Sequence, residues 1–230
     1  MNKQGKGKIE WTDHTWNPLT GICPVNCKTP DGHEYCYARK IYKRFKIMER
    51  PQNQGCDLFL VSRKEMTAPM RIKKPSKIFV CSTHEIFHPN VLEWFRDEIF
   101  CIIGDCPQHT FQVLTKMPEN IDRPMPDNVW LGVSVTNDDK IYALYQDLLD
   151  AYARVKFISF EPLFLNLHYL PIRIDWAIIG RLTGHGHKYD PSLAKLKYMV
   201  KAYKKEKIPV FLKNNLRDIW KDKLIQEFPE

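Results

Sequence analysis

Six short apolar runs recur along this chain, and most of their residues are β-branched or aromatic. Few charges interrupt them, which is typical of strands in the interior of a parallel sheet. We therefore predict six strands, and we expect a seventh near residues 11–19. The six runs are residues 78–81, 111–114, 129–133, 155–158, 176–179 and 209–212.

Three segments between these runs carry apolar residues at the spacing of an amphipathic helix. Asn137 and Ser192 stand just before the second and third segments, so we expect them to cap those helices. Pro118 is expected to open a further, short helix. The apolar positions are Leu92, Phe95, Ile99 and Ile102, then Ile141, Leu144, Leu148 and Tyr152, and finally Leu193, Leu196, Val200 and Tyr203.

Alternating strands and helices imply parallel pairing with right-handed crossovers. The expected fold class is α/β, in the form of a parallel (β/α) barrel of the TIM type, partial or complete. A doubly wound open sheet stays open as an alternative, because the pattern does not show closure. No shift in composition divides the chain, so we predict a single domain over residues 1–230.

Polar side chains follow the predicted strands at the points where the strands end. In (β/α) barrels the carboxyl ends of the strands meet at one face, and the chemistry gathers there. These side chains are therefore candidates for a shared site. They are Ser82, Thr83, His84, Glu85, Thr115, Lys116, Ser134, Asn137, Glu161, Arg181 and Lys213.

The chain has 230 residues and a formal charge of +8, and no apolar run is long enough to span a membrane. Its N-terminal residues are basic but lack the apolar stretch of a secretory signal. We expect a cytoplasmic protein whose thiols stay reduced. The positive charge permits a polyanionic partner such as nucleic acid, and it is also compatible with a charge that serves solubility alone.

Three of the seven cysteines, Cys23, Cys27 and Cys36, stand on one short segment. By themselves they fit an iron–sulfur cluster held by three thiolates, or a zinc site that His33 would complete as a Cys3His set. The segment KTPDGHEY between Cys27 and Cys36 contains a Pro-Asp-Gly turn, which is expected to fold outward and return the chain. Four cysteines remain, and each is expected to be either a small buried hydrophobic residue or a residue without a role in the chemistry: Cys56, Cys81, Cys101 and Cys106.

A collinear series of motifs resembles an uncharacterised protein family that occurs in phages and prokaryotes. That family is in turn similar to the radical S-adenosylmethionine (radical-SAM) enzymes. The likeness extends from residue 9 to residue 213. It rests on IEWTDHTWNP, the cysteine loop that ends in CYA, IFVCSTHEIFH, QHTFQVLTKMPE, NVWLGVSV, FISFEPL, IDWAIIG and VFLK.

The resemblance implies an enzyme with a [4Fe–4S] cluster and S-adenosylmethionine as cofactors. Cys23, Cys27 and Cys36 would hold the cluster within a radical-SAM barrel, and the open iron would bind the amino and carboxylate groups of S-adenosylmethionine. One electron, from a donor such as a flavodoxin or ferredoxin, would cleave the sulfonium and yield a 5′-deoxyadenosyl radical. The cofactor contacts implied in addition are Ser82, Thr83, Glu85, Ser134, Asn137, Glu161 and Tyr35.

The substrate is a nucleotide or nucleic acid in this hypothesis, because the chain is basic and the family occurs in phages. Lys116, Arg181 and Lys213 are the candidates for contacts with its phosphates. The alternative hypothesis is a nucleic-acid-binding barrel without enzymatic activity, in which the same cysteine loop holds a structural zinc ion.

Two segments depart from the family pattern. Radical-SAM enzymes space their cysteines as C-x3-C-x2-C; the interval from Cys23 to Cys27 matches, but eight residues separate Cys27 from Cys36. His33 stands three residues before Cys36, where a cysteine is expected. Relatives have Gly-Gly-Glu-Ser-Gly after the strand at 175–180, whereas residues 180–188 here are GRLTGHGHK, which indicates a different or more anionic substrate.

Overall fold

The structure is a computed structural model that describes residues 1–5, 8–44, 58–164, 166 and 168–230. The chain divides into two compact units. The first comprises Met1–Asp122 and Pro126–Val129, and the second comprises Arg123–Met125 and Trp130–Glu230. The single domain over residues 1–230 stays a prediction.

The first unit contains a mostly parallel sheet and a separate antiparallel pair of strands. Its strands are β1 (Asn2–Lys3), β2 (His14–Trp16), β3 (Leu19–Gly21), β4 (Leu58–Leu60), β5 (Lys77–Val80) and β6 (Thr110–Thr115). β1 lies antiparallel to β2, and β2, β5 and β6 run parallel in that order. β3 and β4 form the antiparallel pair. The carboxyl ends of β2, β5 and β6 therefore meet at one edge.

The first unit also contains the helices α1 (Tyr37–Arg44), α2 (Arg63–Met66) and α3 (Glu93–Gly104), and 3-10 turns at Pro69–Arg71 and Pro118–Asn120. The short helix predicted at Pro118 is thus confirmed. Helix α3 buries Phe95, Ile99 and Ile102, as predicted. Leu92 was expected on the same face, but it precedes the helix and is exposed, so that part of the prediction is wrong.

The second unit contains four parallel strands in chain order. They are β7 (Val129–Ser134), whose first residue is assigned to the first unit, β8 (Val155–Phe160), β9 (Trp176–Ile179) and β10 (Val210–Leu212). β8 pairs with β7 and with β9, and β9 pairs with β10. Every residue of β9 and β10 is buried, which explains why these strands are apolar without alternation.

Helix α4 (Asp138–Asp150) buries a set of residues that differs in part from the predicted apolar face. Ile141 and Leu148 are buried as expected, but Tyr145 completes the buried face and Leu144 is half-buried. Tyr152 lies beyond the end of the helix and is exposed, so its prediction is wrong. The helix stops one residue after Leu149, before another turn could carry Tyr152 back to the core.

Helix α5 (Leu193–Lys205) confirms its prediction more fully. Ser192 caps it, because its hydroxyl accepts a hydrogen bond from the backbone N–H of Lys195 at 3.2 Å. Leu196, Val200 and Tyr203 are buried, and Leu193 is half-buried. A 3-10 turn at Asn214–Leu216 and helix α6 (Arg217–Trp220) follow β10.

The six predicted runs each contain a strand, and residues 11–19 contain β2 and the first residue of β3. A mixed α/β fold with mostly parallel strands is therefore confirmed. Neither unit closes its described strands into a barrel, so the barrel itself is not confirmed. Within the described ranges, no helix is both long and apolar enough to cross a membrane.

Candidate functional site

A small antiparallel turn brings Cys27 and Cys36 together. The backbone N–H of Tyr35 donates to the carbonyl of Cys27 at 3.1 Å, and Lys28 forms a bridge with Glu34. Gly32 occupies the left-handed region at φ 88°, a conformation that the predicted Pro-Asp-Gly turn favours. The segment thus folds outward and returns as predicted, and the thiols of Cys27 and Cys36 form a hydrogen bond.

Cys36 stands directly before helix α1, in the position of an N-cap residue. Its hydrogen bond with Cys27 and, to a lesser extent, the backbone N–H groups of Arg39 and Ala38 lower the pKa of the Cys36 thiol to about 6, although burial raises it. The same hydrogen bond, followed by burial, raises the pKa of Cys27. The pair therefore shares one proton, and the negative charge resides on Cys36 at the start of the helix.

Cys23 is buried beside this pair. It packs with Ala38 and Tyr42 of α1, and Cys36 packs against the same cluster. Burial raises the pKa of Cys23, whereas the backbone N–H groups of Val25 and Glu85 bond to its sulfur and oppose that rise. The three predicted cysteines therefore lie in one neighbourhood, where their charges influence one another.

The donor set suits an iron–sulfur cluster in its chemistry. It offers three thiols, and two of the sulfurs accept backbone N–H hydrogen bonds of the kind that tune cluster sulfurs. The positions of these side chains are a separate matter. Among the residues that the structure describes, no three or more His, Cys, Asp or Glu side chains lie close enough to one another to bind a metal ion jointly. Binding of a metal at this loop requires the proton between Cys27 and Cys36 to leave, because thiolates and not thiols are the metal ligands.

The polar turn after β5 lies at the edge of the first unit's sheet where the carboxyl ends of β2, β5 and β6 meet. Asn17, which directly follows β2, accepts hydrogen bonds through its side-chain oxygen from the hydroxyl of Ser82 and the backbone N–H of Thr83, both at 3.2 Å. Cys81 makes this turn possible by adopting a positive φ of 54°, and it is buried. Ser82 and Thr83 are half-buried.

Glu85 is buried, with 4% of its surface exposed. Its carboxylate accepts hydrogen bonds from the hydroxyl of Thr115 at 2.6 Å, from the backbone N–H of Lys116 at 2.8 Å and from that of Phe87 at 3.2 Å. Burial raises the pKa of Glu85, and these hydrogen bonds oppose the rise. The side chain therefore fastens the end of β6 to the turn after β5, while its own backbone N–H bonds to Cys23.

Lys116 supplies a positive charge at this edge. Hydrogen bonds and burial have the larger effects on the pKa values of Cys27, Cys36 and Glu85, and the ammonium of Lys116 lowers all three. Lys116 is half-buried and follows β6 directly, where the sequence placed it. Its position thus favours the anionic forms of the groups around it.

The structure places two further residues of the cysteine loop. Tyr35 is half-buried, and Tyr37 on the other side of Cys36 is 50% exposed. His33 is exposed, and its Nε2 lies 3.7 Å from a carboxylate oxygen of Asp31 in the outward turn. The candidate ligand His33 therefore contacts Asp31 in the outward turn and not the thiols.

The remaining cysteines divide. Cys81 and Cys106 are buried, as predicted. Cys101 is exposed, because in helix α3 it lies outside the buried face that Ile99 and Ile102 define. Of the two expected alternatives it is therefore not a buried residue, and that it takes no part in the chemistry stays a prediction. Cys56 lies outside the described residues.

In the second unit, Glu161 and Lys213 form an ion pair at the ends of β8 and β10. Both side chains are partly buried. Gly180, which directly follows β9, makes room for them, because a Cβ there would lie 3.0 Å from Lys213 Cδ and 3.1 Å from Glu161 Oε1. Two predicted site residues thus meet, and they neutralise each other.

Arg181 is also engaged within the second unit. Its Nη1 contacts both carboxylate oxygens of Asp190, at 3.0 and 2.8 Å, and its Nε donates to the carbonyl of Asn215 at 2.5 Å. His187 bonds to the same Asp190 through Nδ1 at 2.7 Å. The altered loop at 180–188 is therefore held by an Arg–Asp–His network.

Ser134 and Asn137 complete the predicted set. Ser134 is buried at the end of β7, where it pairs in register with Ser159 of β8. Asn137 is exposed and directly precedes α4, and its role as a cap stays a prediction.

Two residues of the cysteine site were not predicted. Asn17 carried a signal, because it is a polar residue at the end of a strand, like the others. Tyr42 carried none beyond its helical position, yet it accepts a hydrogen bond from the backbone N–H of Cys23 at 3.4 Å.

The fold and this site define a class: an α/β protein with a three-cysteine loop and a polar turn at the carboxyl edge of parallel strands. A model of the family described as "Protein of unknown function (DUF5131)" matches residues 6–216, and the chain belongs to this family. No match was found among the curated proteins or among the solved structures.

Proposed function

We propose that this chain is a radical-SAM-type enzyme in which Cys23, Cys27 and Cys36 hold a [4Fe–4S] cluster. The observation that carries the proposal is the convergence of the three thiols, with Cys27 and Cys36 in contact and Cys23 packed beside them. The resemblance of the motifs along the chain supports it. When bound, the cluster and S-adenosylmethionine supply one-electron chemistry that ends in a 5′-deoxyadenosyl radical.

Within this proposal the residues of the chain bind, orient and balance charge. The N–H groups at the start of α1 stabilise the thiolate of Cys36, and Lys116 offsets part of the negative charge of the loop. Ser82 and Thr83 are the hydroxyl contacts for S-adenosylmethionine. Glu85 is better suited to holding the site together than to contacting the cofactor, because its oxygens already accept three hydrogen bonds.

The finer assignments remain part of the proposal. They are a (β/α) barrel, partial or complete, a cytoplasmic location, an electron donor such as a flavodoxin or ferredoxin, and a nucleotide or nucleic acid as substrate. Ser134, Asn137, Glu161 and Tyr35 are proposed cofactor contacts. Arg181 and Lys213 bind substrate phosphates only if they exchange their present partners, Asp190 and Glu161, for the phosphate.

Anaerobic reconstitution tests the proposal. The protein is supplied with ferrous iron, sulfide, dithionite and S-adenosylmethionine, and iron content, visible absorption and 5′-deoxyadenosine are measured. Wild type should gain iron, sulfide and the visible absorption of an iron–sulfur cluster, and should form 5′-deoxyadenosine.

Cys36→Ala should lose the cluster and the product, whereas Cys101→Ala, which removes an exposed cysteine of helix α3, should keep both. Formation of 5′-deoxyadenosine by Cys36→Ala contradicts the assignment of the ligands. A colourless wild-type protein with stoichiometric zinc contradicts the enzyme and supports the zinc-binding alternative.

A further inference from the structure

Helix α5 has one buried face and one strongly basic face. The buried face consists of Leu196, Met199, Val200 and Tyr203. It packs within the second unit, where α5 contacts β10 and α6. The apolar side of this amphipathic helix is therefore already covered by the protein.

The opposite side of α5 carries four lysines and one tyrosine. At about 100° per residue they occupy an arc of roughly 120°. All five are exposed, and Tyr198 has 56% of its surface in solvent. We call this surface the basic face; it consists of Lys197, Tyr198, Lys201, Lys204 and Lys205.

The charge of the basic face is not balanced along the helix. Helix α5 contains no Asp or Glu, and Lys204 pairs with Glu227 at 3.7 Å. Among the residues that the structure describes, no carboxylate lies within ion-pair distance of Lys197, Lys201 or Lys205.

Charges of alternating sign along a helix face are typical of an exposed face whose charges pair with one another. Here Lys197 and Lys201, and Lys201 and Lys205, are like-charge pairs four residues apart, which destabilise an isolated helix. A polyanion bound along this face removes that repulsion. The arrangement therefore favours a bound partner over a face that only meets water.

We propose that the basic face of α5 binds single-stranded nucleic acid. The lysines contact successive phosphates, and Tyr198 in their midst stacks on an unpaired base. The proposal concerns a surface of the second unit, and it stands whether or not the cysteine loop holds a cluster. If the substrate of the proposed enzyme is a nucleic acid, this face is a place where the strand is held.

An anionic membrane is the other partner that a basic helix can fit. A helix that binds a membrane surface inserts its apolar face between the lipids. In α5 that face is occupied by the core, and Tyr198 is the one large apolar side chain on the basic face. The structure therefore favours nucleic acid.

Salt-dependent binding tests this proposal. A fluorescent single-stranded oligonucleotide of about 20 nucleotides is titrated at several salt concentrations with wild type and with Lys197→Ala/Lys201→Ala/Lys205→Ala. Each lost phosphate contact should make the slope of log K against log salt less steep by about 0.7 on a single strand, so the triple variant should change the slope by about 2.

The matched control is Lys64→Ala/Lys73→Ala/Lys74→Ala, which removes three exposed lysines of the first unit and changes the net charge equally. It should leave the slope unchanged. Circular dichroism is used to check that each variant is folded. Equal losses in both triple variants overturn the proposal, because net charge alone then explains the binding.

Two further outcomes decide the nature of the partner. Tyr198→Ala should weaken binding of the single strand by roughly fivefold or more and leave duplex binding unchanged. If Tyr198→Ala weakens single-strand and duplex binding equally, or changes neither, the assignment to single-stranded nucleic acid is overturned. Binding to anionic phospholipid vesicles without binding to the oligonucleotide identifies a membrane and overturns the proposal.

Discussion

The hydroxyl of Tyr42 donates a hydrogen bond to the backbone carbonyl of Thr83 at 2.5 Å. The same oxygen accepts the backbone N–H of Cys23, so one buried side chain of α1 links the cysteine loop to the polar turn after β5. Tyr42 is 2% exposed, and burial raises its pKa above its usual value. The phenol therefore remains protonated and able to donate near neutral pH.

Tyr42→Phe should destabilise the first unit by about 1–3 kcal/mol. The substitution keeps the ring but leaves the carbonyl of Thr83 and the N–H of Cys23 without this partner, and unsatisfied buried groups carry a penalty of that size. Urea denaturation of the metal-free protein measures it. Tyr198→Phe on the exposed face of α5 is the control and should change stability by less than about 0.5 kcal/mol. Equal effects of the two substitutions contradict the bridging role of Tyr42.

Cys36 should be the most reactive thiol of the metal-free, reduced protein near neutral pH. Its pKa is lowered to about 6, so its alkylation rate should rise between pH 5 and pH 7 and then level off. An unstructured peptide with a single cysteine is the control, and its rate should continue to rise up to the ordinary thiol pKa, about 8.5. Iodoacetamide labelling with mass spectrometry measures the protein and the peptide in one sample. A Cys36 rate that follows the profile of the peptide contradicts the shared proton of Cys27 and Cys36.

His84 should make the free energy of unfolding fall as the pH is lowered. Its imidazole contacts the hydroxyl of Thr83 at 2.9 Å and the carbonyl of Gly21 at 3.3 Å. Burial lowers its pKa from 6.5 to about 4, so between these values the unfolded chain binds a proton that the folded chain does not. Stability that is present above pH 6.5 is therefore lost as the pH falls toward 4.

The expected loss from this one group is about 2 kcal/mol between pH 7 and pH 5. Urea denaturation at both pH values should show a smaller loss by that amount in His84→Gln, whose amide does not titrate. His33→Gln, at an exposed position, should keep the wild-type dependence on pH. If His84→Gln loses as much stability as wild type on acidification, His84 is protonated in the fold.

Much of the architecture could be predicted because it depends on neighbours in the chain. The apolar runs predicted strands where β5 to β10 lie, and Ser192 before α5 is an N-cap that local chemistry specifies. The cysteine loop is of the same kind, because the Pro-Asp-Gly turn that returns Cys36 to Cys27 lies wholly between them. Predictions failed at the ends of elements: Leu92 and Tyr152 continue a helical period, but the helices begin after the one and end before the other.

The partners of these side chains could not be predicted, because most of the partners lie far apart in sequence. Lys213 and Glu161 are 52 residues apart, and Tyr42 is 41 residues from Thr83. Arg181 is basic and follows a strand, which indicated a contact with phosphate, but Asp190 nine residues later occupies its guanidinium. Residue type and position thus predicted which side chains gather at the strand ends, and the fold decided which of them neutralise one another.

Gly132 of β7 lies against the ring of Phe157 on the neighbouring strand β8. A Cβ on Gly132 would lie 2.3 Å from Cζ of that ring, well inside van der Waals contact. The ring is fully buried and packs against Trp176 at 5.4 Å between centroids, so it has no room to withdraw. Gly132→Ala should therefore destabilise the second unit by about 1–3 kcal/mol through overpacking.

Gly104→Ala is the matched control, because nothing lies within 4 Å of a Cβ at that position at the end of α3. It should be neutral or stabilise the protein by up to about 1 kcal/mol. Chemical denaturation of both variants, of Phe157→Leu and of the double variant Gly132→Ala/Phe157→Leu completes the comparison. Because the smaller leucine gives the new methyl group room, the double variant should be more stable than the sum of the single effects predicts. Strict additivity, or a neutral Gly132→Ala, would show that the ring of Phe157 does not set the requirement for glycine.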